Sequence, residues 1–382
     1  MVMILFWAVN NGDIRSGLIL IKSDALAQEV LISFESVNKS PRDHRSKINN
    51  ISTQLNKELG ASLDDMFRVR RVYAIIAIVA VALVASTAAI TLYYPIFQSS
   101  SQKTKVLTTF YPVYDYTQNV AGDKADVSLL VPMTVDVHDF EPTPSSIQAV
   151  STANVLIYNG AGLEPWIPQI VAAANNPHLI QVDSSQGIDL IQVPPQFQKD
   201  NRAIDPHIWL DPVLAKKQID NILQGLIKAD SSDQAYFAAN AKAYQAKLDY
   251  LNSEMVSATK TVATREFVPF HVAFGYFAKE YGLNQTAVFG PFEDSPSAQD
   301  IQNIETVINH DHLCYVGFES LENTSVPDQI AAATHARPIL MDPIEGLSIH
   351  DQAVGKTYLI KLQDDINNIL IALNQVGPEF GC

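Results

Sequence analysis

Ser232 to Thr264 reads SDQAYFAANAKAYQAKLDYLNSEMVSATKTVAT, without Gly or Pro. Its apolar side chains fall at Phe237, Ala241, Tyr244, Leu248, Leu251, Met255, Ala258 and Val262. That 4-3-4-3-4-3-4 spacing draws a single buried stripe down one long helix. Roughly 30 helical residues reach about 45 Å, enough to span two lobes and to restrict hinge motion between them.

The sequence on either side alternates short β-type runs with amphipathic stretches. Before the helix, strands are expected at Val106–Phe110, Val127–Val131, Val155–Tyr158 and Leu179–Val182. Helices are expected at Pro112–Ala121, Pro144–Ser151, Pro165–Ala174 and Pro212–Ala229, each with proline where a first turn tolerates it. After it, strands Phe267–Pro269, Thr286–Phe289, Tyr315–Phe318 and Pro338–Met341 alternate with helices Val272–Tyr281, Ser297–Ile308, Pro327–Thr334 and Asp351–Asn374. Such alternation implies an α/β chain with parallel sheets flanked by helices. The expected organisation is two similar lobes, 105–231 and 265–382, joined by one long rigid helix at 232–264.

Val72 to Tyr93 is uncharged and apolar, and Arg68, Arg70 and Arg71 precede it. At 1.5 Å per residue it reaches roughly 33 Å, sufficient to cross a bilayer. The positive flank keeps the N-terminal side in the cytoplasm and exports the large C-terminal part. The run exceeds a signal-peptide core, so an uncleaved anchor at 72–94 is favoured over a cleaved signal, with 95–104 as a polar linker. In the N-terminal segment 1–71, residues 1–65 show short apolar runs at Met3–Val9, Leu18–Ile21 and Val30–Phe34 without clear periodicity, then a polar stretch. Met66, followed by Phe-Arg-Val-Arg-Arg, looks like the opening of an export signal, so synthesis is expected to start near residue 66.

The net charge is −15 and the acid excess lies wholly after residue 71, since residues 1–71 hold 10 Lys/Arg against 8 Asp/Glu. This argues against nucleic acid as a partner, which demands basic patches. The two cysteines, Cys314 and Cys382, form no C-x-x-C pair, so a thiolate zinc knuckle is excluded. A disulfide between them and two separate thiols both remain open.

Three histidines have distinctive settings: His138 in Val137-His138-Asp139-Phe140-Glu141-Pro142-Thr143-Pro144, His207 in Asp205-Pro206-His207-Ile208-Trp209-Leu210-Asp211-Pro212, and His271 between Phe270 and Val272. Asp342, in Met341-Asp342-Pro343, makes a fourth candidate. The gaps of 69, 64 and 71 residues mean that only a tertiary fold can gather them. Three imidazoles and a carboxylate make a closed tetrahedral set suited to Zn²⁺. His138, His271 and Asp342 each follow an expected strand, where parallel sheets bind ligands. Glu141, Asp205, Asp211 and Glu319 are candidates to hold imidazole N–H groups, with helix caps or surface carboxylates as the alternative. His310-Asp311-His312 reads as a solvated turn after a helix.

These motifs resemble the extracytoplasmic substrate-binding proteins of zinc and manganese ABC transporters, over about residues 105–378. The first loop is similar to that family's Pro-x-Gly-x-Asp-Pro-His-x-x-Glu-Pro-Thr-Pro pattern. Pro132, Asp136, His138, Glu141, Pro142, Thr143 and Pro144 match it, while Thr134 and Val137 replace its Gly and second Pro. The segments Asp205–Pro212, His271–Leu283, Pro296–Ile301 and Glu319 before Asp342-Pro343 agree as well. The resemblance implies His138, His207, His271 and Asp342 as metal ligands, Zn²⁺ as cargo and a membrane permease as partner. Manganese binders of the family tend to carry a carboxylate where His271 stands. Gln186–Asp205 lacks the histidine-rich loop of many zinc relatives, which keeps Mn²⁺ or Fe²⁺ as the alternative. An adhesin or sensor on the same fold competes with transport. A zinc hydrolase, which demands an open coordination position, fits less well.

Overall fold

The computed structural model describes residues 41–97 and 103–380, apart from residues 139, 194, 199–201, 289, 293–295 and 323. The chain divides into two compact units, Met1–Ser101 and Gln102–Cys382.

In the first unit, α1 (Pro41–Phe97) is one continuous helix. Its stretch Asp65–Ala88 is long and apolar enough to cross a membrane and buries none of its side chains in protein. Residues 1–40, with the short apolar runs at the chain's start, lie outside the described residues, as do 98–102 of the expected linker.

The second unit begins with β1 (Thr104–Thr108), α2 (Tyr111–Ala121), β2 (Ala125–Leu129), α3 (Pro144–Thr152), β3 (Val155–Tyr158), α4 (Ile167–Ala174) and β4 (Ile180–Asp183). The four strands form one parallel sheet in the order β2-β1-β3-β4. Its central strands are apolar on both faces: Val106, Leu107, Val155, Leu156 and Ile157 are all buried, as helix-covered parallel strands demand. Pro144 and Pro212 open their helices as expected, whereas α4 starts at Ile167, two residues past Pro165. Pro144 follows Thr143, whose hydroxyl accepts from Ser146 N in a capping box. Pro212 follows Asp211, whose carboxylate caps α5 (Pro212–Ala229) by accepting from Val213 N at 2.8 Å.

The long helix is α6 (Gln234–Ala258). It spans about 37 Å, shorter than expected, because it ends at Thr259. Phe237, Ala241, Tyr244, Leu248, Leu251 and Met255 form its buried stripe. It packs against α2 and α5 of the first lobe and α11 (Tyr358–Asn374) of the second, so one apolar core runs through both lobes.

The second lobe contains β5 (Glu266–Phe267), α7 (Gly275–Tyr281), β6 (Asn284–Gln285), α8 (Ala298–Asp311), β7 (Tyr315–Phe318), α9 (Ser325–Thr334), β8 (Arg337–Leu340), α10 (Ile349–Ala353) and α11 (Tyr358–Asn374). Its strands form two parallel pairs, β5-β6 and β7-β8. Gly317 N donates to Val268 O at 2.7 Å and links the pairs. A Cβ at Gly317 would lie 2.9 Å from Pro269 Cα, so glycine lets the backbones meet. The single helix expected over Asp351–Asn374 is two helices instead. Gly355, at φ +71°, breaks it, and Thr357 caps the second piece. Cys314 is disulfide-bonded; Cys382 lies outside the described residues.

Candidate metal centre

The loops that follow the strands meet between the lobes. His138 stands after β2, His207 just before the turn of Ile208–Leu210, and His271 after β5. The loop after β8 brings Glu345 to them. One donor atom from each of His138, His207, His271 and Glu345 lies within 4.8 Å of every other. Glu345 Oε1 sits 3.1 Å from His138 Nε2, 3.3 Å from His207 Nε2 and 3.9 Å from His271 Nε2. The Nε2 atoms of His207 and His271 are 3.2 Å apart. A tetrahedron with metal–nitrogen bonds of 2.0–2.1 Å has edges of about 3.3–3.4 Å. Three of the separations lie close to that edge and the 3.9 Å one exceeds it, so the four donors are near enough to surround one small cation.

Carboxylates fix two of the rings. Asp205 Oδ1 lies 2.9 Å from His207 Nδ1 and also accepts from the His207 backbone N at 2.9 Å. Glu319 Oε1 lies 2.6 Å from His271 Nδ1. Each contact turns Nε2 inward as the metal-facing atom. His138 is held through its backbone, whose N–H donates to Asp136 Oδ1 at 2.7 Å. Its buried Nδ1 has no hydrogen-bond partner among the described residues.

Of the other two carboxylates expected to hold imidazoles, Asp211 caps α5 and Glu141 is exposed. The carboxylates that do reach a ring precede their histidine by two residues or follow a strand end directly.

Asp342 is buried but does not join the cluster. Its Oδ2 takes the Lys361 ammonium at 2.9 Å and Ser320 N at 3.1 Å, and its Oδ1 takes Ile344 N at 2.7 Å. A carboxylate so occupied is a turn anchor, and the acid that the structure places beside the three rings is Glu345, three residues on. Sequence reading did not single out Glu345. The available signal was Lys361, a lysine on the buried stripe of α11 beside Tyr358, Leu362 and Ile366. A buried cation there demands a buried acid.

Burial and charge set the protonation of the cluster. Burial pushes His138 below its ordinary value. Burial also opposes charge on His207, but its hydrogen bonds to the Asp205 and Glu345 carboxylates outweigh it and raise the ring. At His271 burial is again outweighed, here by the Glu319 carboxylate, and the ring is pushed up to about 9. Burial would raise Glu345, yet His138 and the other rings outweigh it and hold its carboxyl well below the usual range. The metal-free cluster thus keeps protons on His271 at neutral pH, which an incoming cation must displace.

The lobes are tied together around this centre. Trp209 Nε1 donates to Pro343 O at 2.6 Å, and the Tyr358 hydroxyl donates to Trp209 O. Leu347 N donates to Met133 O at 2.7 Å. A Cβ at Gly346 would come within 2.1 Å of that same Met133 oxygen, so only glycine permits the approach. The His310-Asp311-His312 run forms the end of α8 and its left-handed cap, with His310 exposed.

A family model described as zinc-uptake complex component A, periplasmic, matches residues 106–372. The high-affinity zinc uptake system protein ZnuA of Bacillus subtilis is 34% identical over 278 residues, which cover 70% of this chain and 87% of that protein. Among solved structures, Zn(II)-bound AdcA from Streptococcus pneumoniae superposes with a TM-score of 0.64 at 27% identity, covering 72% of this chain and 59% of that one. The laminin-binding protein Lmb of Streptococcus agalactiae, described as a bifunctional protein with adhesin and metal transporting activity, superposes with a TM-score of 0.64 at 28% identity. That match covers 72% of this chain and all of the other.

Proposed function

Because the chain belongs to the family of periplasmic zinc-uptake component A proteins, we propose that it captures Zn²⁺ outside the cytoplasmic membrane and delivers it to the permease of an ABC transporter. The proposed ligands are Nε2 of His138, His207 and His271 with Oε1 of Glu345. The observation that carries this reading is the gathering of those four donors within 4.8 Å of one another, with three of their separations at 3.1–3.3 Å, close to a zinc tetrahedron's edges, and a fourth at 3.9 Å. Three imidazoles with one carboxylate favour Zn²⁺ over Mn²⁺, which prefers carboxylate and water oxygens. Four protein donors leave no open position for a reacting water, which supports a carrier and not a hydrolase.

The stretch Asp65–Ala88 of α1 supports membrane attachment, with Arg68, Arg70 and Arg71 on the cytoplasmic side. Tethering restricts diffusion and raises the protein's concentration near a permease in the same membrane. The likeness to Lmb favours a second reading, adhesion to laminin, which a solid-phase laminin-binding assay tests. The transport reading is tested by calorimetric titration of the metal-free protein with Zn²⁺ and Mn²⁺. One tight site preferring Zn²⁺ is expected. No tight site for either metal would overturn it.

A further inference from the structure

Lys361 lies on α11, outside the ring of metal donors, and is almost wholly buried at 3% exposure. Its ammonium reaches Asp342 Oδ2 at 2.9 Å, Asp351 Oδ2 at 3.1 Å and Ser320 Oγ at 3.1 Å. Those partners belong to the segments that shape the C-terminal half of the centre. Ser320 adjoins Glu319, the carboxylate on His271. Asp342 begins the turn that ends in Glu345. Asp351, on α10, closes the same loop from its far side.

The turn itself is strained. Ile344 has φ +57°, a left-handed conformation that a β-branched side chain adopts only at a cost. Ile344 is also fully buried, so the surrounding structure must hold it there. Asp342 does so by accepting from Ile344 N at 2.7 Å while its other oxygen is taken by Lys361 and Ser320 N. The next residue is Glu345. A chain of contacts thus runs from Lys361 through Asp342 and the strained Ile344 to the carboxylate at the metal position.

We propose that Lys361 is a positioning residue for the metal centre. By clamping Asp342 and Ser320 to α11 it withholds Asp342 from the metal, holds the Ile344 turn that presents Glu345, and fixes the strand end that carries Glu319. This rests on the zinc-capture reading above. Without the ammonium, Asp342 is free to rotate and the turn can relax. The site then loses the fixed direction of one ligand and of one imidazole partner.

The test uses the full chain purified in detergent, stripped of metal, and titrated with Zn²⁺ and with Co²⁺, whose visible bands report four-coordinate geometry. Lys361→Met leaves Asp342 and Asp351 buried without their counter-charge and risks unfolding. The pair Lys361→Met with Asp351→Asn removes one of those charges and is measured beside it. Lys124→Met is the control. Lys124 pairs with Asp233 at 3.2 Å, outside the segments that shape the centre.

In folded Lys361 variants the zinc Kd should rise about 10- to 100-fold, as for other residues that orient a ligand. Their Co²⁺ bands should weaken and shift, while Lys124→Met keeps wild-type affinity and spectrum. Wild-type bands and affinity in the Lys361 variants would overturn the assignment of Lys361 alone. A double variant that cannot fold would make Lys361 a stability residue and overturn it equally. Failure of the wild-type chain to bind either metal would remove the zinc reading together with this one.

Discussion

Glu345→Gln should damage zinc binding far more than Asp342→Asn. Glu345 Oε1 is the atom on which all three Nε2 atoms converge, at 3.1, 3.3 and 3.9 Å, and the residue is 5% exposed. Replacing its charge with an amide removes an anionic ligand from a dry site. Breaking one partner out of a buried charged pair costs roughly 3–5 kcal/mol, or about two to nearly four decades in Kd. Asp342 carries its charge against Lys361 and two backbone N–H groups. Asparagine can still accept from Ile344 N, so Asp342→Asn should weaken zinc by only about tenfold while lowering thermal stability. The assay is competition against a fluorescent zinc chelator at pH 7.5, with melting of the metal-free protein in parallel. A near-normal Kd for Glu345→Gln beside an abolished site in Asp342→Asn would refute the assignment and restore the expectation drawn from the motif.

Other outcomes follow from the same geometry. His271 is raised to about 9 in the metal-free centre, against an unfolded value of about 6.5. Its contribution to stability is therefore complete below about pH 6.5 and is lost as pH rises through about 9, at up to about 1.4 kcal/mol per pH unit. Metal-free protein should melt lower as pH climbs through that window, zinc affinity should rise over it, and calorimetry in buffers of different ionisation heat should detect proton release at pH 7. Asp205→Asn and Glu319→Gln should each weaken zinc about 10- to 100-fold by freeing the ring they hold, as read by the same competition assay. Trp209→Phe strips the buried Pro343 carbonyl of its donor and should cost about 1–3 kcal/mol in urea unfolding. Deleting Asp65–Ala88 should move the protein from the membrane to the soluble fraction after cell fractionation.

The features that the sequence made legible were local ones. Val155–Tyr158, Pro212–Ala229 and Tyr315–Phe318 form their elements with the expected bounds, because each is set by its own apolar pattern or by a proline behind a capping carboxylate. The stripe of α6 was likewise readable, although Ala258 to Val262 continues the apolar spacing past the helix end at Thr259. Spacing alone does not record where hydrogen bonding stops. The expected Asp351–Asn374 helix failed at Gly355, whose positive φ lets the chain turn before Thr357 caps α11.

At the candidate metal centre, the three histidines that the structure gathers stand in settings the sequence singled out, as do Asp205 and Glu319 beside two of them. Glu345 had no such setting. Asp342 and Glu345 stand three residues apart in one loop, and nothing within that loop distinguishes them. The choice is made by Lys361, on a separate helix, and by a left-handed Ile344 that swings the chain so that the second acid faces the rings. A tertiary ion pair and one unusual φ thus decide which acid is a donor, and neither has a local signature.

Whether His138, His207, His271 and Glu345 together hold one zinc ion is decided by anomalous diffraction at the zinc edge from crystals of the zinc-loaded protein. One strong peak is expected between the lobes, 2.0–2.1 Å from the three Nε2 atoms and 2.0–2.2 Å from a Glu345 oxygen, with Asp342 still on Lys361. A peak coordinated by Asp342, or a metal lacking any one of the three histidines, would contradict it.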